Sequence, residues 1–177
     1  ITNILIDLGV ESTRKGLGIV ADHMKDYLSY MTGEIEEIRG KIAALGEAKA
    51  EIFLTWYIIE PLGWKGSLSE QFEVCKWIVS CLEEVGLKVV EKKLASATMR
   101  VLNSLIAIGL NSERRKLELS PYLIESLEKV WKAVVQSGLK DSIFSDPMIE
   151  PTREVLGDWI KEIDDSNLRT KLSEILS

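Results

Sequence analysis

The sequence predicts an all-α fold, and two observations support this class. Apolar residues recur at intervals of three and four, as on one face of a helix, most clearly at Leu68, Phe72, Cys75, Val79, Leu82, Gly86 and Val89. No segment alternates apolar and polar residues for the length of a strand. About seven to eight helices are therefore expected, near residues 2–14, 17–31, 34–60, 67–92, 94–116, 121–136, 147–163 and 166–176.

Residues typical of helix ends mark several of these boundaries. Ser67 followed by Glu70 forms a capping box, which predicts the start of helix 67–92. Ser120 and Asp146, each followed by a proline, predict the starts of helices 121–136 and 147–163. Gly138 is expected to end a helix, because glycine readily adopts the left-handed conformation found there.

Residues 60–66, with one proline and two glycines, form the clearest predicted loop. They also contain Trp64, for which two roles are considered. The indole either folds back over the helix ends, which is the preferred interpretation, or contacts a partner protein.

Helix 67–92 carries an apolar arc wider than a surface helix needs. Val74, Ile78, Cys81 and Val85 form a second stripe beside the first, which predicts burial against neighbours on two sides. The cysteines lie on these stripes, and their spacing of six residues separates them by about 240° around a helix, so they cannot form a disulfide with each other. Both are expected to be buried as small hydrophobic residues.

A weak internal repeat joins the first five predicted helices. Gly9, Gly86 and Gly109 each lie eight residues before a leucine (Leu17, Leu94, Leu117), with a basic residue two positions before that leucine. The glycine would allow close approach of two helices, the basic residue would lie at a helix C-terminus, and the leucine would begin the next helix.

With this pattern the chain resembles armadillo-like and HEAT-like helical-repeat proteins, over roughly residues 9–117. The resemblance implies an irregular stack of helices that acts as an interaction scaffold. The spacing between copies is irregular, and a compact helical bundle is the alternative architecture.

Length and composition limit the classes of protein. The 177 residues, 46% of them hydrophobic, suit one helical domain over 1–177. Two cysteines and one histidine exclude a disulfide scaffold and a zinc finger. No apolar run approaches the roughly 18 residues of a membrane helix, and the N-terminus does not resemble a signal peptide. Because the chain starts at Ile1, we expect a fragment of a longer protein. The two cysteines, expected to be reduced, fit a location in the cytoplasm.

No catalytic or cofactor site is predicted, so the protein is not expected to be an enzyme. His23 has Asp26 on the same helical face but no further metal ligand nearby, and it is interpreted as a partly exposed histidine. Phosphate-binding loops, dinucleotide-binding loops and nucleophile elbows are absent from the sequence. No metal and no cofactor are therefore expected.

Charge is distributed unevenly along the chain. The net charge is −6, yet residues 86–116 contain seven basic and two acidic residues. On predicted helix 94–116 the polar face aligns Arg100, Asn103, Asn111 and Arg114, with Arg115 beside them, and such a face can bind an acidic partner or phosphates. The simpler interpretation is a solvated face whose basic ends pair with the acidic C-terminal region.

Three functions follow from these features. The preferred hypothesis is a non-enzymatic helical-repeat module that binds a partner protein or self-associates, in one form as the soluble regulatory domain of a larger membrane protein. The alternative is nucleic-acid or phosphate binding through residues 88–116, which the acidic total charge disfavours. An enzyme with a site assembled from scattered carboxylates and arginines ranks last.

Overall fold

The computed structural model describes residues 2–35, 37 and 50–176 and confirms the all-α class. Within these residues the chain forms nine helices and no strand, where seven to eight helices were predicted. Their bounds are α1 (Thr2–Arg14), α2 (Gly18–Gly33), a continuous helix made of α3 (Ala50–Leu54), a π-helical turn (Thr55–Ile59) and α4 (Glu60–Leu68), then α5 (Phe72–Glu91), α6 (Ala95–Arg114), α7 (Ser120–Ser137), α8 (Lys140–Phe144), α9 (Ile149–Glu162) and α10 (Ser166–Glu174). Of predicted helix 34–60, residues 36 and 38–49 lie outside the described residues.

The predicted loop at 60–66 is wrong, because these residues form most of α4. Pro61 lies in the first turn of α4, where its missing N–H costs no helical hydrogen bond. The predicted capping box also fails: Ser67 lies near the end of α4, and α5 begins five residues later at Phe72. Ser69 takes over the local role, since its Oγ accepts a hydrogen bond from the Gln71 backbone N–H at 3.2 Å.

The starts of the later helices are close to the predicted positions, but the side chains act differently. Pro121 lies in the first turn of α7, yet the Ser120 hydroxyl donates to the Glu113 carboxylate instead of capping the helix. Asp146 Oδ1 accepts from the Met148 backbone N–H at 2.8 Å, and α9 follows at Ile149. The short helix α8 was not predicted.

Helices α5 and α6 form the centre of the molecule. A three-residue connection joins them into an antiparallel hairpin. Helix α5 packs against α1, α2, α4 and α7, whereas α6 packs against α4, α7 and α9. Accordingly α5 and α6 carry the widest buried faces, and Cys75 and Cys81 are buried among them as free thiols, as the sequence predicts. Within the described residues no helix is long and apolar enough to cross a membrane.

The repeated glycine–basic–leucine pattern corresponds to a recurring helix end. At Leu17, Leu94 and Leu117 the leucine N–H donates to the carbonyl five residues earlier, and the preceding residue has positive φ: Gly16 at 69°, Lys93 at 56° and Lys116 at 57°. This is the Schellman motif, in which the left-handed residue satisfies the last carbonyls of the helix. Gly138, at φ 74°, ends α7 in the same way before Leu139, which confirms it as a helix stop.

The glycines of the pattern permit close packing of tryptophan side chains. A Cβ on Gly9 would lie 2.2 Å from the Trp77 ring, and one on Gly109 would lie 2.4 Å from the Trp159 ring. Trp77 is thereby held between α1 and α2, where its Nε1 donates to the Ala21 carbonyl at 3.0 Å. The predicted role of glycine in close helix approach is confirmed at both positions.

Candidate docking groove

A groove runs along the surface between α6 and the continuous helix 50–68. It consists of two depressions in line. One has a volume of about 270 Å³ and is lined by Glu51, Ile52, Thr55, Trp56, Ser96 and Arg100. The other, of about 400 Å³, is lined by Glu60, Gly63, Trp64, Ser67, Leu68, Asn103, Ser104 and Ala107. We call this feature the α4/α6 groove.

Glycine residues bring the two walls of the α4/α6 groove together. A Cβ on Gly63 would lie 2.5 Å from Ser104 Oγ, and one on Gly66 would lie 2.5 Å from Ile108 Cδ1. Backbone therefore packs directly on α6 at these positions, and the groove floor is made of small residues. The larger side chains of helix 50–68 project above this contact and form an exposed wall.

That wall is an apolar stripe of four exposed side chains at intervals of four or eight residues. Trp56 and Trp64 are 66% and 72% exposed, and Ile52 and Leu68 flank them at 50% and 60%. Exposure of two tryptophans is unusual, because indole rings are highly buried on average in folded proteins. The wall therefore presents the kind of side chain that dominates binding energy at protein interfaces.

The π-helical turn helps to keep this stripe on one side. Residues four apart advance by about 40° around an α-helix, so a stripe at this interval would otherwise wind away from α6. The turn at 55–59, closed by the Glu60 N–H donating to the Thr55 carbonyl, is wider and reverses part of that rotation. Trp56 and Trp64 thus both border the groove.

The second wall is the polar face of α6 that the sequence singled out. Ser96, Arg100, Asn103 and Ala107 fall within about 60° around the helix axis and line the groove. Arg100 is half-buried, and it has no hydrogen-bond or ion-pair partner within the described residues. Asn103 is anchored from the far side, because its Oδ1 accepts from the Thr152 hydroxyl of α9 at 3.2 Å.

The remaining predicted binding residues hold helices together. Arg115 Nη1 donates to the carbonyls of Ser67 and Ser69, at 2.6 and 2.9 Å, and so caps the C-terminus of α4. Arg114 Nε lies 3.6 Å from Glu162 Oε1 on α9, which is one contact between the basic segment and the acidic C-terminal region. Asn111 Nδ2 donates to the Ala107 carbonyl at 2.9 Å, within its own helix.

The basic segment does not form one continuous surface. Lys92 and Lys93 follow the end of α5, whereas Arg114 and Lys116 lie at the opposite end of α6. A helix of 20 residues separates the two groups by about 30 Å. This separation weighs against a single phosphate-binding face over residues 88–116.

The groove joins three predicted residues, Trp64, Arg100 and Asn103, and adds three that the sequence analysis missed. Ile52 and Trp56 escaped notice because residues 60–66 were assigned to a loop, which interrupted the stripe. Leu68 was placed on the packed face of predicted helix 67–92, which is wrong, because it ends α4 and is 60% exposed. The available signal was the spacing of the apolar residues between Ile52 and Leu68 by four or eight positions. The preferred interpretation of Trp64, an indole folded back over the helix ends, is wrong, because this side chain is largely exposed.

The two cysteine thiols and Lys25 lie outside the groove. Burial raises the pKa of the Cys75 and Cys81 thiols, which disfavours the reactive thiolate. Burial alone would lower the pKa of Lys25, but the hydrogen bond and charge of Glu84, 2.9 Å away, outweigh it and raise that pKa. No group of three or more metal-ligating side chains occurs within the described residues.

Another depression, of about 460 Å³, lies away from the groove, where α2, α5 and α7 meet. Its lining includes Asp22, Glu73, Lys76 and Tyr122. The Lys76 ammonium lies 5.7 Å from the centre of the Tyr122 ring, and burial raises the pKa of this tyrosine. The depression therefore contains an internal cation–π contact, and it lacks the exposed aromatic wall of the α4/α6 groove.

No known protein family, curated protein or solved structure matches this chain. What the groove can bind is therefore inferred from its own residues.

Proposed function

We propose that this chain is a non-enzymatic protein-interaction module that binds an amphipathic helix in the α4/α6 groove. The observation that carries the proposal is the exposure of Trp56 and Trp64 side by side along an open groove. Helix-in-groove recognition uses apolar anchors at intervals of three, four and seven residues, which match a stripe on one helical face. From Ile52 to Leu68 the wall extends about 24 Å, the length of four helical turns.

The charges at the groove favour a particular orientation of the bound helix. Glu51 and Glu60 lie on the aromatic wall, whereas Arg100 lies on the opposite wall of α6. A helix with basic residues on one flank and acidic residues on the other would pair with both walls. Such complementarity contributes mainly to specificity and to the orientation of the partner.

The proposal also includes the helical-repeat origin of the fold and its place in a longer protein. The recurrence of one helix end at Leu17, Leu94 and Leu117 supports an armadillo-like or HEAT-like origin of the helix stack. Such stacks act as binding scaffolds, in agreement with a regulatory module of a longer, cytoplasmic or membrane-anchored protein.

A displayed library of short amphipathic helices tests the proposal directly. We expect selection against the wild-type chain to enrich peptides with apolar anchors at helical spacing. The double variant Trp56→Ala/Trp64→Ala should bind these peptides about 30-fold more weakly or worse, because aromatic anchors typically contribute at least ~2 kcal/mol. Val135→Ala, which removes an exposed apolar side chain from α7, is the matched control and should bind normally.

Two results would contradict this function. Selection could yield no helical peptide, or the selected peptides could bind the double variant as tightly as the wild type. Circular dichroism of the double variant should match the wild type, since both tryptophans are mainly exposed.

A further inference from the structure

Helix α2 presents a second uncovered apolar face. Ile19, His23, Tyr27 and Tyr30 fall within about 80° around the helix axis, and all four are exposed. Ile19 is 78% exposed, and the rings of Tyr27 and Tyr30 lie 6.3 Å apart. A helix with apolar residues on its outer face as well as its packed face has a second surface available for burial.

Helix α2 has the length that the α4/α6 groove requires and an acidic edge that suits its Arg100 wall, whereas its one lysine is paired with Glu84 on α5. Its 16 residues span about 24 Å, equal to the length of the aromatic wall. Asp22 and Asp26 follow one edge of the apolar face. Asp26 is exposed and has no ion pair within the described residues, whereas Asp22 lines the depression beside α5, where its charge interacts with Lys25. Arg100, on the α6 wall, lacks a partner within the described residues, as Asp26 does. If α2 lay in the groove with its acidic edge toward α6, these opposite charges would meet.

The two surfaces also account for much of the apolar area left exposed. With Val20, which lies beside the α2 face, they carry eight of the fifteen large exposed hydrophobic side chains of the described residues, namely Ile19, Val20, Tyr27 and Tyr30 on α2 and Ile52, Trp56, Trp64 and Leu68 on the groove wall. One contact between them would cover both sets. Large exposed apolar patches on a folded protein mark interaction sites.

We propose that the helix bound in the α4/α6 groove is α2 of a second copy of this chain. The inference rests on the proposed function, because it names the partner of the same groove. The contact joins two unlike surfaces, so each copy contributes α2 to one neighbour and a groove to another. With a single helix in a shallow groove, the association is weak and reversible, with a dissociation constant in the micromolar range or above.

Sedimentation of the full chain at increasing concentration gives the first measurement. We expect the average mass to rise with concentration for the wild type and for the control Val135→Glu. Tyr30→Glu on α2 and Trp64→Glu in the groove should each remain monomeric, because a charge replaces an exposed apolar contact. A wild-type chain that stays monomeric at millimolar concentration would overturn the inference.

Mixing variants identifies the geometry of the contact. Tyr30→Glu retains an intact groove and Trp64→Glu retains an intact α2, so an equimolar mixture should form a mixed dimer that neither variant forms alone. Self-association of Trp64→Glu alone would instead indicate contact between two α2 faces, and self-association of Tyr30→Glu alone would indicate contact between two grooves. Either result overturns the proposal.

A charge exchange tests the pairing of the acidic edge with α6. Asp26→Arg and Arg100→Asp should each weaken self-association about tenfold, and the chain with both changes should recover most of the wild-type affinity. Equal weakening in the double variant would contradict the proposed orientation. If the wild type is monomeric but library-selected helices still bind the groove, self-association fails while the proposed function stands. If neither binding is observed, both fail.

Discussion

Tryptophan has opposite roles in the two halves of the molecule. In residues 72–176 the three tryptophans, Trp77, Trp131 and Trp159, are all buried, whereas Trp56 and Trp64 in the N-terminal part are both largely exposed. The contrast extends to other residues: twelve of the fifteen large exposed hydrophobic side chains of the described residues lie between Ile4 and Leu68. The helices of residues 72–176 bury most of their apolar residues, in part against α1, α2 and α4, whereas the N-terminal helices leave many of theirs exposed.

Truncating one tryptophan in each half should give the largest difference in stability. Trp159→Ala removes a side chain with no exposed surface, packed on Gly109 and donating from Nε1 to Ser120 Oγ at 3.4 Å. We expect it to lower the free energy of unfolding by about 3–5 kcal/mol. Trp64→Ala should change this free energy by about 0.5 kcal/mol or less, because its ring is mainly in solvent.

Denaturant unfolding of the two variants measures both values. Comparable losses of unfolding free energy in the two variants would contradict the contrast between a buried and an exposed tryptophan, since they would show that Trp64 contributes to folding as much as a core residue does.

Two glycines of the C-terminal half should respond to the same substitution with opposite signs. Gly109→Ala places a methyl group 2.4 Å from the Trp159 ring, and such overpacking costs about 1–3 kcal/mol. Gly157→Ala lies within α9 with open space around its Cβ, so it should stabilise the fold by about 0.5–1 kcal/mol. Thermal unfolding midpoints that moved in the same direction would show that the contact between Gly109 and Trp159 is not restrictive.

Two arginines of the same helix separate stability from binding. Arg115→Ala leaves the carbonyls of Ser67 and Ser69 without their charged donor and should destabilise the fold by about 1–2 kcal/mol, with little direct effect on the groove. Arg100→Ala should leave stability unchanged and weaken the affinity of the groove for helical peptides. Denaturant unfolding and peptide binding, measured on both variants, check this prediction. A loss of peptide binding in Arg115→Ala alone would show that Arg100 does not belong to the binding surface.

The sequence predicted the structure of residues 72–176 better than that of the N-terminal part. The longer helices of residues 72–176 were located by strong 3.6-residue periodicity, and Gly138 was recognised as a helix stop, whereas α8 was not predicted and α5 begins five residues after its expected start. In contrast, α4 was mistaken for a loop because proline and glycines dominate residues 60–66. Packing of Gly63 and Gly66 directly on Ser104 and Ile108 overrides this weak helical propensity.

The candidate site was predictable only in part, for related reasons. The polar face of α6 was visible, because its residues repeat at helical spacing. Two features depend on tertiary packing between distant segments. One is which helix lies opposite the polar face of α6, and the other is that Arg115 donates to carbonyls 46 and 48 residues earlier in the chain. The exposure of Trp64 depends on which face α4 turns toward α6, and local sequence carries no direct information about that orientation.

Substitutions at the Schellman motifs should have small effects on stability. The motif occurs in both parts of the molecule, so it allows a direct comparison. The N-terminal half has Gly16 at the left-handed position, whereas the C-terminal half has Lys116 there, at φ 57°. Because a side chain disfavours this conformation by about 1–2 kcal/mol and glycine loses more entropy on folding, Lys116→Gly should stabilise the fold by about 0.5–1 kcal/mol. Gly16→Ala should destabilise it by a similar amount, since the space around it is open and only the backbone conformation matters. Equilibrium unfolding resolves shifts of this size, and a loss of stability in Lys116→Gly would indicate that the lysine side chain makes a compensating contact.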